Sequence, residues 1–194
     1  VPTAEIAGLQ GNPEYRVIGT LGTYYVSFNV NSAMFDGMSP EDAATLRKAL
    51  ALFIDRDYLV TNVGQADQVP AGSFIPAGCL DGNGGEFKNK DYYDPSAEAF
   101  EDNVAKGIEM MESIGYQFDE NGMLSDETPL SFTYLVNTPG GNVDVAVAIQ
   151  ADMAAVGIDM QISEMEWNVF LNDRKAGNFD VARNGWLMDY NDPL

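Results

Sequence analysis

A mixed α/β sheet flanked by helices is the architecture this sequence predicts, and three observations point to it. Over the second half of the chain the apolar spacing switches repeatedly between two residues and about 3.6. Two pairs, Ser39-Pro40 and Asp94-Pro95, have the form of a helix N-cap followed by proline at the first helical position. Strands also alternate there with single helices, the order that crossover units of such a sheet produce.

The first strand is expected over Thr23–Val30, "TYYVSFNV", because side chains alternate and β-branched and aromatic residues dominate. A loop carrying Gly37 follows. In "SPEDAATLRKALALFIDRDYLVTNV", Ser39 is the cap, Glu41 and Asp42 sit in the first turn, and Leu46, Ala49, Leu50 and Phe53 recur at helical spacing. The stretch reads as two helices that meet near Asp55. From Gly64 to Tyr93 the glycines and prolines leave no periodicity, so this is a long loop packed on the surface or used in function.

A helix is expected over Pro95–Ile114, where Phe100, Val104, Ile108, Met111 and Ile114 step by three and four before Gly115 stops it. "LSFTYLVN" (Leu130–Asn137) reads as a strand. "VDVAVAIQADMAAVG" reads as a helix ending at Gly157, "IDMQISEME" as a strand from Ile158, "WNVFLNDRKAG" as a helix and "FDVARNGW" (Phe179–Trp186) as a strand. No segment repeats at a fixed period.

With 194 residues, 45% of them hydrophobic, the chain can bury a core and is expected to be one domain. The 30 acidic residues against 10 basic ones give a net charge of −20, which repels nucleic acid and anionic membrane surfaces and makes a solvated acidic face. Cys79 is the single cysteine, so no disulfide can form within the chain. No run approaches the ~18 apolar residues of a membrane span. The opening "VPTAEIAGLQG" has neither an initiator Met nor the order of a signal peptide, and both ends read as cut, with any export signal or lipid anchor lying outside this sequence.

The chain contains no histidine, which removes Ser-His and Cys-His dyads and histidine-containing zinc sites. "DGNGGEFKNK" is rich in glycine but lacks the Gly-Lys-Ser/Thr ending of a phosphate loop, and neither it nor "DENGMLSDE" has the ligand spacing of a calcium loop. Glu164 and Glu166 could be imagined as acid and base. Two residues apart in a strand, they read more simply as the wet side of an edge. The expectation is a protein that is not an enzyme, with no catalytic residues, no cofactor and no metal.

In such sheets ligands gather beyond the C-terminal ends of strands, and the last strand carries Gly185, Trp186 and Asp189 to such an end. Trp186 taken alone reads as a core or rim aromatic.

Five segments in order carry a family resemblance: "TYYVSFNVN", "LRKALALFIDRDYLV", "YYDPSAEAFEDNVAKGIEMMESIGY", "IQADMAAVGIDMQISEMEWNVFL" and "GNFDVARNGWLMDYNDPL". Together they resemble the second lobe of the bacterial extracellular solute-binding proteins (family 5) that serve oligopeptide and dipeptide ABC importers, over about Tyr15 to Leu194. The 64–93 loop and residues 120–129 are individual. The resemblance implies a two-lobe periplasmic-binding-protein-like (type II) fold, with residues 1–194 as one lobe and the first lobe and return crossover outside this sequence. It places the main chain of Gly185, Trp186 and Leu187 against an extended peptide and the carboxylate of Asp189 at the peptide's α-amino group. It also places Trp167, Leu171, Arg174 and Arg183 around the cavity. Trp167 and Leu171, four apart, read equally as core residues on one helix face, and Asp189 reads equally as the cap of a turn before Tyr190 and Pro193.

The ligand implied is a peptide captured in the cleft. The alternatives are a receptor of the same fold for a sugar, nickel chelate or other small solute, and an extracellular sensor domain not coupled to a transporter. The partners implied are the ABC permease subunits, reached through the full-length protein; the chain itself is expected to be monomeric. The location implied is extracytoplasmic, in the periplasm or as a cell-surface lipoprotein.

Overall fold

Four strands, β1 (Gly22–Phe28), β2 (Ser131–Thr138), β3 (Asp159–Glu166) and β4 (Val181–Leu187), form one sheet in the order β1-β4-β2-β3. The computed structural model describes residues 1–88 and 94–193. β2 runs parallel to β3 along all eight residues, whereas its parallel ladder with β4 covers only Tyr134 opposite Val181 and Leu135 opposite Ala182. β1 closes the far side of β4 antiparallel, from Gly22 opposite Leu187 to Phe28 opposite Val181. The sheet is therefore mixed, and the C-terminal ends of β2, β3 and β4 share one edge with the start of β1.

The helices are α1 (Thr3–Leu9), α2 (Pro40–Leu52), α3 (Arg56–Tyr58), α4 (Phe100–Glu112), α5 (Gly141–Ala155) and α6 (Trp167–Ala176). Period-two alternation in β2 assigns them to two faces. Phe132, Tyr134 and Val136 point into the larger core, with Met160 of β3 and Val181 of β4, under Leu46, Ala49 and Leu50 of α2, Met111 of α4, and Ala146, Ile149 and Met153 of α5. Leu135 points the other way, and with Ala182 it packs on Phe170 of α6, which is fully buried. α2 and α4 pack closely enough that a methyl group on Gly107 would meet Phe53 Cε1 at 2.5 Å.

Local chemistry sets the ends. Ser39 accepts from the Asp42 N–H at 3.0 Å and Pro40 opens α2, as the sequence predicts. α6 starts where the Glu166 carboxylate accepts from the Asn168 N–H at 2.8 Å and stops at Gly177, whose φ of +76 favours glycine. Glu166 is thus a cap, and with Glu164 it lies exposed at the end of the edge strand.

Several boundaries differ from expectation. β1 ends at Phe28 rather than Val30, because the Asn29 amide turns to donate to the carbonyls of Gly177 and Phe179, both at 2.9 Å. β4 starts at Val181 rather than Phe179, because the Asp180 carboxylate takes the Ser32 hydroxyl and the Thr133 N–H. The helix expected from Pro95 starts at Phe100, after a 3-10 turn at Ala97–Ala99; Asp94 instead accepts from the Ser96 N–H at 3.0 Å. The second helix near Asp55 is one α turn that widens into a π turn over Leu59–Gly64. The short α1 was not expected. Of the 64–93 loop, residues 89–93 lie outside the described residues, as does Leu194.

Candidate functional site

The alternation of β4 decides which groups meet at the C-terminal edge. The Met188 N–H donates to Leu21 O at 2.9 Å and the Asn29 N–H donates to Asp180 O at 2.8 Å, so the even-numbered residues of β4 exchange main-chain hydrogen bonds with β1. The main-chain groups of Arg183, Gly185 and Leu187 therefore point toward β2. The β2 ladder ends at the Leu135–Ala182 bridge, which uses the Arg183 N–H; past that group, among the described residues, no strand lies against the Arg183 C=O or the main chain of Gly185 and Leu187.

Gly185 is required by its neighbour across the ladder. Tyr24 lies over it, and a methyl group there would meet Tyr24 Cδ1 at 2.6 Å. Arg183, two residues earlier on the same face, sets its guanidinium over the Tyr24 ring at 5.0 Å. Its Nε is buried and, among the described residues, has no hydrogen-bond partner. Burial pushes the Tyr134 hydroxyl pKa upward, and the positive charge of Arg183 opposes that shift.

On the opposite face stand Trp186 and the side chains of α6. Trp186 is 56% exposed at the end of β4, and Leu187 beyond it is exposed as well. Trp167 opens α6 at the same edge, 42% exposed, with its ring stacked on Phe170 at 5.7 Å. Leu171 packs in the small core beside Phe170. Arg174, further along α6, lays its guanidinium over Phe170 and donates from Nη1 to Asn184 Oδ1 at 2.9 Å. The expected site residues thus divide: Gly185, Trp186, Leu187, Asp189 and Trp167 gather at the edge, Leu171 and Arg174 underlie it, and Arg183 stands on the other face.

Past β4 the chain forms one wall of a cleft of about 140 Å³, lined by Thr23, Phe74, Ile75, Pro76, Trp186, Met188, Asp189, Tyr190, Asp192 and Pro193. The other wall is the long loop, tied down where the Thr23 hydroxyl donates to Phe74 O at 2.8 Å and Phe74 meets the Tyr25 ring edge-on at 5.0 Å. Asn191 Oδ1 accepts from the Leu80 N–H at 2.6 Å and holds the two walls together. Beneath this contact the Cys79 thiol is buried, and both desolvation and the Asp192 carboxylate raise its pKa.

Asp189 is exposed in this cleft, and among the described residues its carboxylate has no hydrogen-bond or ion-pair partner. The turn after it is closed by the Asp192 N–H donating to Tyr190 O at 3.0 Å, without the Asp189 side chain. Tyr24, Phe74 and Asn184 belong to the site and were missed by sequence reasoning. Tyr24 and Asn184 lie within predicted strands, and nothing local marks Phe74.

Comparison with known proteins places this edge in context. The sequence model of the bacterial extracellular solute-binding proteins, family 5 (middle section), matches residues 1–194. The periplasmic oligopeptide-binding protein OppA of Haemophilus influenzae is 32% identical over 98% of this chain and 33% of its own length. The solved structure of the Escherichia coli murein tripeptide binding protein MppA superposes with a TM-score of 0.77 at 26% identity, covering 99% of this chain and 34% of that one. Haemophilus influenzae OppA in complex with RPPGFSPFR gives 0.72 at 28% identity over 99% of this chain and 35% of that one. The chain spans about a third of the length of the curated relatives it matches. With the family model matching the full chain and the solved relatives superposing over nearly all of it, it belongs to the bacterial extracellular solute-binding proteins of family 5.

Proposed function

We propose that this chain is one lobe of a two-lobe receptor that captures an extended peptide and delivers it to an ABC importer. The observation that carries this reading is the open backbone of β4 from the Arg183 carbonyl to Leu187, at the sheet edge where ligands of α/β folds collect. A peptide laid there as an added strand is held by main-chain hydrogen bonds that are indifferent to its side chains. The unspent carboxylate of Asp189 is the partner for its α-amino group, and Trp186 and Trp167 offer aromatic walls. Leu171 and Arg174 support that surface from beneath, and Arg183 with Tyr24 limits it on the far face.

Capture, not turnover, is the activity. The partners are the peptide, a second lobe that closes over it and the permease subunits that receive it; the place of work is outside the cytoplasmic membrane, in the periplasm or on a lipid anchor. The names of the relatives support this reading, since MppA is described as a murein tripeptide binder and Haemophilus influenzae OppA was solved with RPPGFSPFR. Mass spectrometry of small molecules retained by the purified full-length protein tests it. Peptides with free amino termini are expected; a sugar or a metal chelate in their place would overturn it.

A further inference from the structure

One hydrogen-bond group at the open edge of β4 is not open. The Gly185 N–H, which points away from β1, donates to the side-chain Oδ1 of its own neighbour Asn184 at 2.9 Å. The same oxygen accepts from Arg174 Nη1 at 2.9 Å, and Asn184 Nδ2 donates to Ser27 Oγ at 3.0 Å. Two donors converging on one oxygen fix the orientation of the amide. Its neighbours fix its rotamer: Arg174 is itself held against Phe170, and Ser27 lies in β1 beside the small core. Among the described residues, no side chain takes up the Gly185 C=O, the Leu187 N–H or the Leu187 C=O in this way.

We propose that Asn184, held by Arg174 and Ser27, is a positioning residue that sets the register of a bound peptide by occupying the Gly185 N–H. A docked strand can donate to the Gly185 C=O and accept from the Leu187 N–H, but it finds no donor at Gly185. Pairing therefore starts at the Leu187 end, beside Asp189, and a peptide shifted by two residues toward Arg183 loses one main-chain bond. This inference rests on the peptide reading above.

Amide hydrogen exchange by NMR on the full-length receptor, with trialanine as the probe, tests it. Without peptide the Gly185 amide should exchange at least about ten-fold more slowly than that of Leu187. Asn184→Ala should abolish that difference, and Asn184→Asp, which keeps an acceptor oxygen for both donors, should retain it. Adding trialanine should slow the Leu187 amide at least about ten-fold and leave Gly185 unchanged in the wild type, while in Asn184→Ala both amides should slow. Equal exchange at Gly185 and Leu187 in the ligand-free wild type, or slow Gly185 exchange surviving Asn184→Ala, overturns the occupied donor. Slowing of the wild-type Gly185 amide by trialanine overturns the register role alone. If the ligand-free pattern holds but trialanine alters neither amide in either protein, the peptide reading has failed, and the register role falls with it.

Discussion

The ring of Tyr24 lies over Gly185 so closely that its Cδ1 would stand 2.6 Å from a Cβ on that residue. The glycine is thus demanded by contact across the ladder rather than by its dihedral angles. Gly185→Ala should destabilise the fold by about 1–3 kcal/mol, the usual cost of forcing extra volume into a packed contact. Adding Tyr24→Ala should recover most of that loss, because the three atoms nearest to such a methyl group all belong to the exposed Tyr24 ring. Urea unfolding of the two single variants and the double decides it; additive losses in the double would count against the contact.

Asp189→Ala in the full-length receptor should weaken peptide binding by roughly thirty-fold to several thousand-fold, since leaving a buried ammonium unpaired costs about 2 to 5 kcal/mol. Stability without ligand should hardly change, because the Asp189 carboxylate has no hydrogen-bond or ion-pair partner among the described residues. Calorimetry with free and N-acetylated forms of one peptide separates the roles. If acetylation weakens wild type and variant by the same factor, Asp189 does not hold the amine.

Asp152 on α5 accepts from the Asp55 N–H at 3.0 Å, and desolvation, helped by the Asp55 carboxylate, pushes its pKa up to about 6. Folding therefore favours the protonated form. That contribution is fully present below the unfolded value of 3.8 and is lost as pH rises through about 6. Because the group is partly solvated, the loss should be roughly 1–2 kcal/mol. Asp152→Asn keeps an acceptor for the Asp55 N–H and should remove the decline. Denaturation curves at pH 4 and pH 7 for both proteins check this, with parallel pH profiles as the contrary result.

Phe170 is the fully buried aromatic of the small core, packed with Leu135 and Ala182, and Trp167 stacks on it. Phe170→Ala should cost about 3–5 kcal/mol and alter the emission of Trp167. A loss below ~1 kcal/mol would show that α6 is not anchored there.

The 194-residue chain alone should fold yet bind peptide far more weakly than the full receptor, because one lobe supplies only part of the contacts and leaves the ligand wet. Calorimetry on both forms with the same peptide measures this, and comparable affinities would contradict the two-lobe reading.

The sequence by itself determined the succession of strands and helices and the faces they bury, since both follow from spacing along the chain. Phe132, Tyr134 and Val136 face one way and Leu135 the other because a strand alternates, and Ser39 caps α2 because its hydroxyl reaches an N–H three residues on. Glu164 and Glu166 are exposed as expected, but not on a separate wet side of the strand: they share the face of Met160 and Ile162 and lie past the end of the core. The limits were local too. In α1 only Ile6 is buried, too little for a periodic pattern, and at Asp94 the carboxylate closed a turn before the helix began.

Tertiary structure alone decided who stands beside whom. Tyr24 meets Gly185, Ser27 meets Asn184 and Asp55 meets Asp152 across separations of about 100 to 160 residues, and periodicity records a side chain's face but not its neighbour. The early end of the β2–β4 ladder is of the same kind. It leaves the backbone of β4 open because β2 pairs with β3 along its full length and with β4 for only two residues. Asn184 shows the consequence most plainly: its amide is fixed by a guanidinium from α6 and a hydroxyl from β1, and neither is marked in the residues around it.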